Sequence, residues 1–251
     1  MNAGAQTADP TGWRSLLWPG AFALLAFGLL MGLGVWQIER LHWKEGVLAQ
    51  IDARSRAEPV PAPSPPQWPD LKPDDYEYRR IRASGVFEHD REAYVFRGSS
   101  NIRGQINTPG YHVLTPLRLA DGSRIIVNRG FVPQDRRDPA SRRDGQIHGE
   151  VAVTGLMRSP EERNLFTPAD NPSLRIWYTR DPAAIAAASQ LENVAPFVID
   201  ADDTPVPGGW PHGGVTEINV SNNHLSYALT WFGLAATLLG VFGVFAWRRL
   251  G

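Results

Sequence analysis

The sequence predicts an α+β membrane protein in which two transmembrane helices flank an antiparallel β-rich domain with one helix. Two apolar runs carry this prediction, because residues 15–38 and 224–247 contain no Asp, Glu, Lys or Arg. Each run is long enough to cross ~30 Å of hydrocarbon at a rise of ~1.5 Å per residue. Between the two runs, apolar and polar residues alternate over several short stretches, as they do in strands with one buried face.

The first apolar run is interpreted as an uncleaved anchor, because its core exceeds the about 7–15 residues of a signal peptide. We expect residues 1–14 to form a short cytoplasmic segment and residues 15–38 the first transmembrane helix. Apolar side chains recur at helical spacing over residues 39–57, which predicts a helical extension. Residues 58–70 contain six prolines and are expected to form a stiff, extended spacer.

The β-rich domain is expected to cover residues 71–221. Its clearest feature is a hairpin at residues 110–133, in which Asp121-Gly122 forms the turn. Shorter runs with strand-like composition predict further strands at residues 78–88, 92–98, 150–159, 173–180 and 195–200.

One helix is predicted within this domain, at residues 181–192. Asp181 can cap that helix, Pro182 suits its first position, and alanines fill its body. Loops at residues 134–149 and 200–216 are charged or rich in Gly and Pro, and we expect them to be mobile.

Charges beside the second run predict the orientation. Residues 205–227 contain no Lys or Arg, whereas Arg248 and Arg249 follow the run, so residues 248–251 are expected to be cytoplasmic. The charges beside the first run predict the opposite orientation, since more basic residues follow that run than precede it. We give more weight to the second run, because long domains are translocated largely regardless of flanking charge. We therefore expect a multi-pass protein of the bacterial inner membrane with its β-rich domain in the periplasm.

Composition excludes several classes of function. A net charge of −1 argues against nucleic-acid binding, which normally shows a basic patch or stripe. Because the chain has no cysteine, it cannot form disulfides, iron–sulfur clusters or a thiol nucleophile. The sequence contains neither a GxSxG nor an HExxH motif, so we do not expect an enzyme.

Five motifs follow one another along the chain: GVWQIERLHWK, GYHVLTPL, VNRGFVP, NLFTPADNP and NNHLSYALTWF. Together they resemble the surfeit-locus family of cytochrome c oxidase assembly factors, known in yeast as Shy. The resemblance runs from about residue 28 to residue 249, and Phe131 stands where the family pattern leads us to expect Trp.

The resemblance implies a role in maturing subunit I of haem–copper oxidases, with haem a as a transiently bound cofactor. It implies subunit I as a partner, haem a synthase as a possible second one, and membrane lipid around the two spans. Residues 1–14 are too short and too weakly basic for a mitochondrial presequence. A bacterial source is therefore expected, with the mitochondrial inner membrane as the alternative for a eukaryotic one.

His224 begins the second apolar run, and the resemblance implies that it is an axial ligand of the haem iron. Ala228, Trp231 and Ala235 share its helical face, which suggests room for a flat macrocycle and an aromatic ring to stack on it. The alternative is that His224 and Trp231 belong to a belt of amphipathic rings at the membrane interface.

Two arginines are candidate contacts for a haem propionate or a partner carboxylate. Arg40 shares a helical stripe with Trp36 and Trp43, where interfacial anchoring is the alternative. Arg129 alternates with apolar residues on one sheet face, and an unpaired buried charge is costly, so a structural salt bridge is its alternative.

Small residues at spacing i and i+4 predict close packing of the two membrane helices. Gly28 and Gly32 form such a pair in the first run, and Ala236 and Gly240 form one in the second.

Two other functions compete with oxidase assembly by haem delivery: an interaction scaffold without a cofactor, and a membrane-tethered periplasmic enzyme. The enzyme hypothesis would need a catalytic cluster, and none is recognisable in the sequence.

Overall fold

The computed structural model describes residues 14–98, 108–214, 216 and 222–250. The chain divides into two compact units, one formed by residues 1–49 and 219–251 and the other by residues 50–218. Most of the predicted cytoplasmic segment at residues 1–14 lies outside the described residues.

Four α-helices occur among the described residues: α1 (Leu17–Arg56), α2 (Pro73–Tyr76), α3 (Pro182–Ala188) and α4 (His224–Leu250). The strands are β1 (Val60–Pro61), β2 (Arg80–Phe87), β3 (Ala93–Arg97), β4 (Gly110–Arg118), β5 (Arg124–Pro133), β6 (Glu150–Arg158), β7 (Ile176–Trp177) and β8 (Val194–Ala201). Both α1 and α4 contain a segment long and apolar enough to cross a membrane.

The first unit contains most of α1 together with α4. Ala228 and Ala235 are buried on α4, and Gly34 of α1 lies directly against the ring of Phe232. The prediction of close packing is wrong for Gly28, Gly32 and Gly240, because a Cβ at any of these positions would meet no atom within 4 Å, and Ala236 is exposed. The pattern of small residues did not reveal the rotation of α1, which turns Gly34 toward α4 instead.

The second unit is built on a barrel of five strands in the order β2, β6, β8, β5 and β4. Two residue pairs between β2 and β4 close the barrel. The antiparallel prediction is wrong for β5 and β8, which run parallel. Strands β1 and β3 also have parallel partners, β2 and β7. Alternation within a strand specifies its two faces but not the direction of a neighbour that is distant in sequence, so it could not predict these pairings.

Successive residues of β5 pack into different hydrophobic clusters. Ile125 and Val127 join a cluster with Phe197, whereas Ile126 joins a second cluster with Trp177 and Ile185. The opposite directions of successive side chains along a strand produce this division. The predicted hairpin at residues 110–133 is confirmed as β4 and β5.

The Pro-rich segment is not the spacer that was predicted. Residues 60–61 pair with β2, and a 3₁₀-helix occupies residues 65–70. Trp68 packs edge-on against Phe197 with ring centroids 6.5 Å apart, and its indole N–H donates to the Pro63 carbonyl at 2.9 Å. The segment therefore folds onto the barrel because Trp68 adds apolar surface to its core.

Asp181 caps α3 as predicted, since its side chain accepts hydrogen bonds from the backbone N–H groups of Ala183 and Ala184. The helix is shorter than the predicted range of 181–192 and ends at Ala188. Gln190 and Asn193 adopt left-handed conformations beyond that end, which a continuing helix would exclude.

Candidate functional site

His224 is the first residue of α4, and its side chain contacts Gln37 of α1. The distance between His224 Nδ1 and Gln37 Oε1 is 2.7 Å. Because the amide oxygen can only accept, Nδ1 carries the proton in this hydrogen bond, and the Nε2 lone pair of neutral His224 is left for another partner. Histidines that bind metal ions are held in the same way, by a hydrogen bond from the second ring nitrogen.

The face of α4 below His224 is covered by α1. Ala228 and Ala235 are buried, Trp231 is half-buried, and Phe232 contacts Gly34. The structure thus places Ala228, Trp231 and Ala235 on the face of α4 that begins with His224, as predicted, but the space that we expected for a macrocycle is filled by the neighbouring helix. The donor chemistry of His224 fits a ligand of haem iron, whereas the buried face of α4 below it leaves no room for the macrocycle.

Arg40 contacts an aromatic ring on its own helix. Its guanidinium carbon lies 3.9 Å from the ring centroid of Trp43, and the side chains of Trp36 and Trp43 are exposed. This contact is a cation–π interaction. No hydrogen bond or ion pair in the described part of the chain joins Arg40 to His224.

Arg129 is almost completely buried in the second unit, where its neighbours fix its side chain. Its guanidinium lies 3.4 Å from Glu92 Oε1, donates to the Gly145 carbonyl, and lies 4.8 Å from the centroid of Phe87. Burial lowers the pKa of Arg129 to about 10, since the carboxylate of Glu92 opposes this effect only in part. The structure therefore supports the salt-bridge alternative for this residue.

Gly130 helps to place Arg129. Its φ of +120° is available to glycine and strained for other residues. A Cβ here would collide with the backbone carbonyl of His212. The next residue, Phe131, forms an isolated antiparallel bridge with His212. The register between β4 and β5 shifts at Arg129 and Gly130, since His112 pairs with Phe131 and Leu114 with Asn128.

Glu92 is the centre of this buried network. Arg142 binds it with two hydrogen bonds, from Nη2 to Oε2 at 2.6 Å and from Nη1 to Oε1 at 3.2 Å. Four further side chains lie within 3.6 Å of its oxygens: His89, Tyr94, Arg129 and Gln146. Burial alone would raise the pKa of Glu92, but hydrogen bonds from His89 and Arg142 and the charges of both arginines lower it to about 2.

The same network overturns the prediction of a mobile loop at residues 134–149. A 3₁₀ segment covers residues 139–145, and its Arg142 is buried. The Arg142 Nη2 atom also donates to the Arg137 carbonyl at 3.3 Å, and its Nε atom to the Arg136 carbonyl at 3.1 Å. A charged sequence suggested solvent exposure, whereas a carboxylate contributed by another part of the chain holds this segment in place.

Asp200 forms a second buried network. It accepts a hydrogen bond at 2.9 Å from Asn128, its register partner in the parallel pair β5–β8, and others from Arg158 at 3.0 Å and Thr216 at 2.9 Å. Arg180 and Arg158 keep the pKa of Asp200 below its usual range, although burial opposes this shift.

His112 lies close to the Asp200 network, where its Nδ1 is 3.4 Å from Asn128 Nδ2. Burial lowers its pKa to about 3, and the charge of Arg97 adds to this effect. His112 is therefore neutral at physiological pH.

Sequence reasoning did not identify Gln37, Glu92 or Asp200 as partners of other polar residues. Each of them precedes or follows an apolar stretch, and only the tertiary contacts distinguish them from surface residues. One signal could have pointed to Gln37 as the partner of His224. Gln37 lies near the end of the first apolar run, and His224 lies at the start of the second. No group of three or more His, Asp or Glu side chains suited to a metal ion occurs among the described residues.

Comparison with known proteins supports the resemblance seen in the motifs. Residues 24–236 match the SURF1 family model. The chain is 37% identical to Surfeit locus protein 1 of Mus musculus over 225 residues, which cover 86% of this chain and 71% of the mouse protein. It is 39% identical to the human protein over 217 residues, or 82% and 70% of the two chains. A SURF1-like protein of Monosiga brevicollis is 39% identical over 241 residues, which cover 92% of this chain and 88% of that protein.

Proposed function

Because this chain belongs to the SURF1 family, whose members are assembly factors and not enzymes, we propose that it assists the assembly of haem–copper cytochrome c oxidase. In this proposal it binds haem a transiently and helps to insert it into subunit I. In this proposal, haem a synthase supplies the haem. The observation that carries the cofactor part is the hydrogen bond between His224 and Gln37, which leaves Nε2 as a ligand atom.

His224 would hold the iron through Nε2 at the beginning of α4. The face that contains Ala228 and Ala235 is buried against α1 and is therefore not open to the haem. Trp231 lies on the same helical face, and Arg40 can offer N–H donors to a propionate while it stays against Trp43. We assign Arg129 a structural role, because its guanidinium already contacts Glu92, His89 and the Gly145 carbonyl.

We further propose that α1 and α4 span a membrane and that the second unit lies on the side opposite to both termini. Their apolar segments and the arginines after the second segment support this arrangement. The membrane is the bacterial inner membrane with the β-rich unit in the periplasm, or the mitochondrial inner membrane in a eukaryote. Reporters that fluoresce only in the cytoplasm should be bright when fused after Gly251 and dark when fused to the end of a chain truncated within residues 134–149. The reverse pattern would overturn this orientation.

The visible spectrum of purified protein from cells that make haem a tests the cofactor. His224→Ala should keep expression, since Ala is the best helix former, but should lose haem a. His224→Met should retain part of the haem with an altered spectrum, because Met can also bind haem iron. His42→Ala, which changes an exposed histidine of α1, is the matched control and should keep the parent's haem content.

Equal haem content in the parent and in His224→Ala would remove His224 as the ligand. Absence of haem from all four proteins would instead favour the alternative function, a membrane scaffold that binds an oxidase assembly intermediate without a cofactor. Both functions predict loss of assembled oxidase when the protein is missing, and normal oxidase in such cells would contradict both.

A further inference from the structure

Two adjacent apolar side chains project into solvent from the loop between β6 and β7. Leu165 is 93% exposed and Phe166 is 90% exposed. Leu174 and Val60, the other exposed large apolar side chains in the described part of the second unit, reach only 53% and 43%. Single apolar residues on a surface are ordinary, but two fully exposed neighbours form a patch that indicates an interaction site.

The turn that presents them, residues 164–169 (the apolar tip), is fixed by its own hydrogen bonds. The backbone N–H of Phe166 donates to Asn164 Oδ1 at 2.9 Å, and that of Asn164 donates to Thr167 Oγ1 at 3.0 Å. At the base of the tip, Arg163 pairs with Asp170 at 2.7 Å. The exposed side chains are therefore held outward by a defined turn, and a partner that covers them would have little backbone entropy to remove.

Charge around the apolar tip indicates what kind of partner fits. The tip itself carries no charged residue. At its base, Arg163 is paired with Asp170, and Glu161 is paired with Arg97 at 2.8 Å. Glu162 is exposed and forms no ion pair with any residue that the structure describes. A free carboxylate is repelled by an anionic lipid surface, whereas a basic side chain at the rim of a protein pocket would complement it.

We propose that the apolar tip docks into an apolar pocket of oxidase subunit I, with a basic side chain of that subunit opposite Glu162. Leu165 and Phe166 are the anchors of this contact, which matches the usual anatomy of an interface, an apolar centre with a charged rim. The inference rests on the proposed function, because that function supplies the partner.

The double variant Leu165→Ser/Phe166→Ser, expressed in cells that lack the natural protein, tests the inference. Assembled oxidase, measured by the haem a absorbance of membranes, should fall about tenfold or more because both anchors are lost. The melting temperature of the purified variant should equal that of the parent, since neither side chain is packed. Leu174→Ser is the matched control, because it removes an exposed leucine outside the tip, and it should restore oxidase fully.

Photoreactive benzoylphenylalanine in place of Phe166 identifies the occupant. We expect an adduct with subunit I whose yield falls when Glu162→Lys is added. An adduct with lipid alone or with a protein other than subunit I, or full oxidase levels with the double variant, would overturn the inference while leaving the proposed function intact. Normal oxidase in cells without the protein would overturn the proposed function itself, so the two failures are distinguishable.

Discussion

His224 in the first unit and Glu92 in the second both contact polar partners, but they are held very differently. His224 has one neutral partner, Gln37, and keeps a nitrogen lone pair for a ligand. Glu92 is surrounded by two guanidinium groups and three further polar side chains. The number of partners thus separates a residue that can bind something further from one that holds the fold together.

The two arginine candidates differ in the same way. Arg129 is buried and its charge is matched by Glu92, whereas Arg40 lies on an exposed stripe of α1 against one aromatic ring. Removing a partner should therefore damage stability in the second unit and ligand binding in the first. The following predictions test that difference, from the largest effect to the smallest.

Glu92→Gln should destabilise the protein by roughly 3–5 kcal/mol, because it leaves two buried guanidinium groups without a counter-charge. Chemical denaturation of the purified full chain, followed by tryptophan fluorescence, measures the free energy of unfolding. Glu162→Gln is the matched control and should change it by less than about 0.5 kcal/mol. Equal effects of the two substitutions would contradict the structural role of Glu92.

Acid should destabilise the second unit in two steps. His112 has a folded-state pKa of about 3, whereas its usual value is 6.5, so its unfolded form binds more protons between these values. Stability should fall by roughly 1.4 kcal/mol per pH unit below pH 6.5, or roughly 2 kcal/mol by pH 5. Glu92, with its pKa of about 2, contributes stability above its usual pKa of 4.5 that is lost as the pH falls from 4.5 toward 2.

Denaturation curves between pH 7.5 and pH 5 measure the first step, and His112→Gln should flatten the slope. The same substitution at His148, which is exposed, is the control and should leave the slope as it is in the parent. A slope that persists in His112→Gln would show that another group is responsible.

Gly34→Leu should weaken the packing of α1 and α4 by roughly 1–2 kcal/mol, the range of typical contacts between membrane helices. Any side chain at this position meets the ring of Phe232. Gly32→Leu is the control, because a Cβ there meets no atom within 4 Å. Thermal unfolding of both variants in the same detergent compares them, and a larger loss in Gly32→Leu would reverse the assigned helix face.

Gln37→Leu should lower the affinity for haem a roughly tenfold, since partners that orient a metal-binding histidine typically contribute at least that much. The fold of this variant should be unaffected, because the substitution removes only the one side-chain hydrogen bond to His224. Gln50→Leu, which changes an exposed glutamine of the same helix, is the control. Haem titration of the three proteins gives the affinities. If Gln37→Leu binds haem a as tightly as the parent, the hydrogen bond to Gln37 does not orient His224 for ligand binding.

Much of the local structure followed from the sequence. The hairpin β4–β5, the position of β6 and the Asp181 cap were all predicted, because turn residues, alternation and capping are properties of neighbouring residues. The motif order also identified the family. At the candidate site, the helical face shared by His224, Ala228 and Trp231 followed from periodicity alone.

Contacts between distant segments decided the rest. The parallel pairing of β5 and β8, the packing of Trp68 on Phe197 and the burial of Arg142 against Glu92 each join residues far apart in the chain. The bond between Gln37 and His224 does the same at the site. By itself the sequence determined the apolar runs, the strand faces and the helix cap, since these depend on the order of neighbouring residues. Only the tertiary structure decided which charges are paired and which nitrogen is left for a ligand, because pairing depends on distances that folding creates.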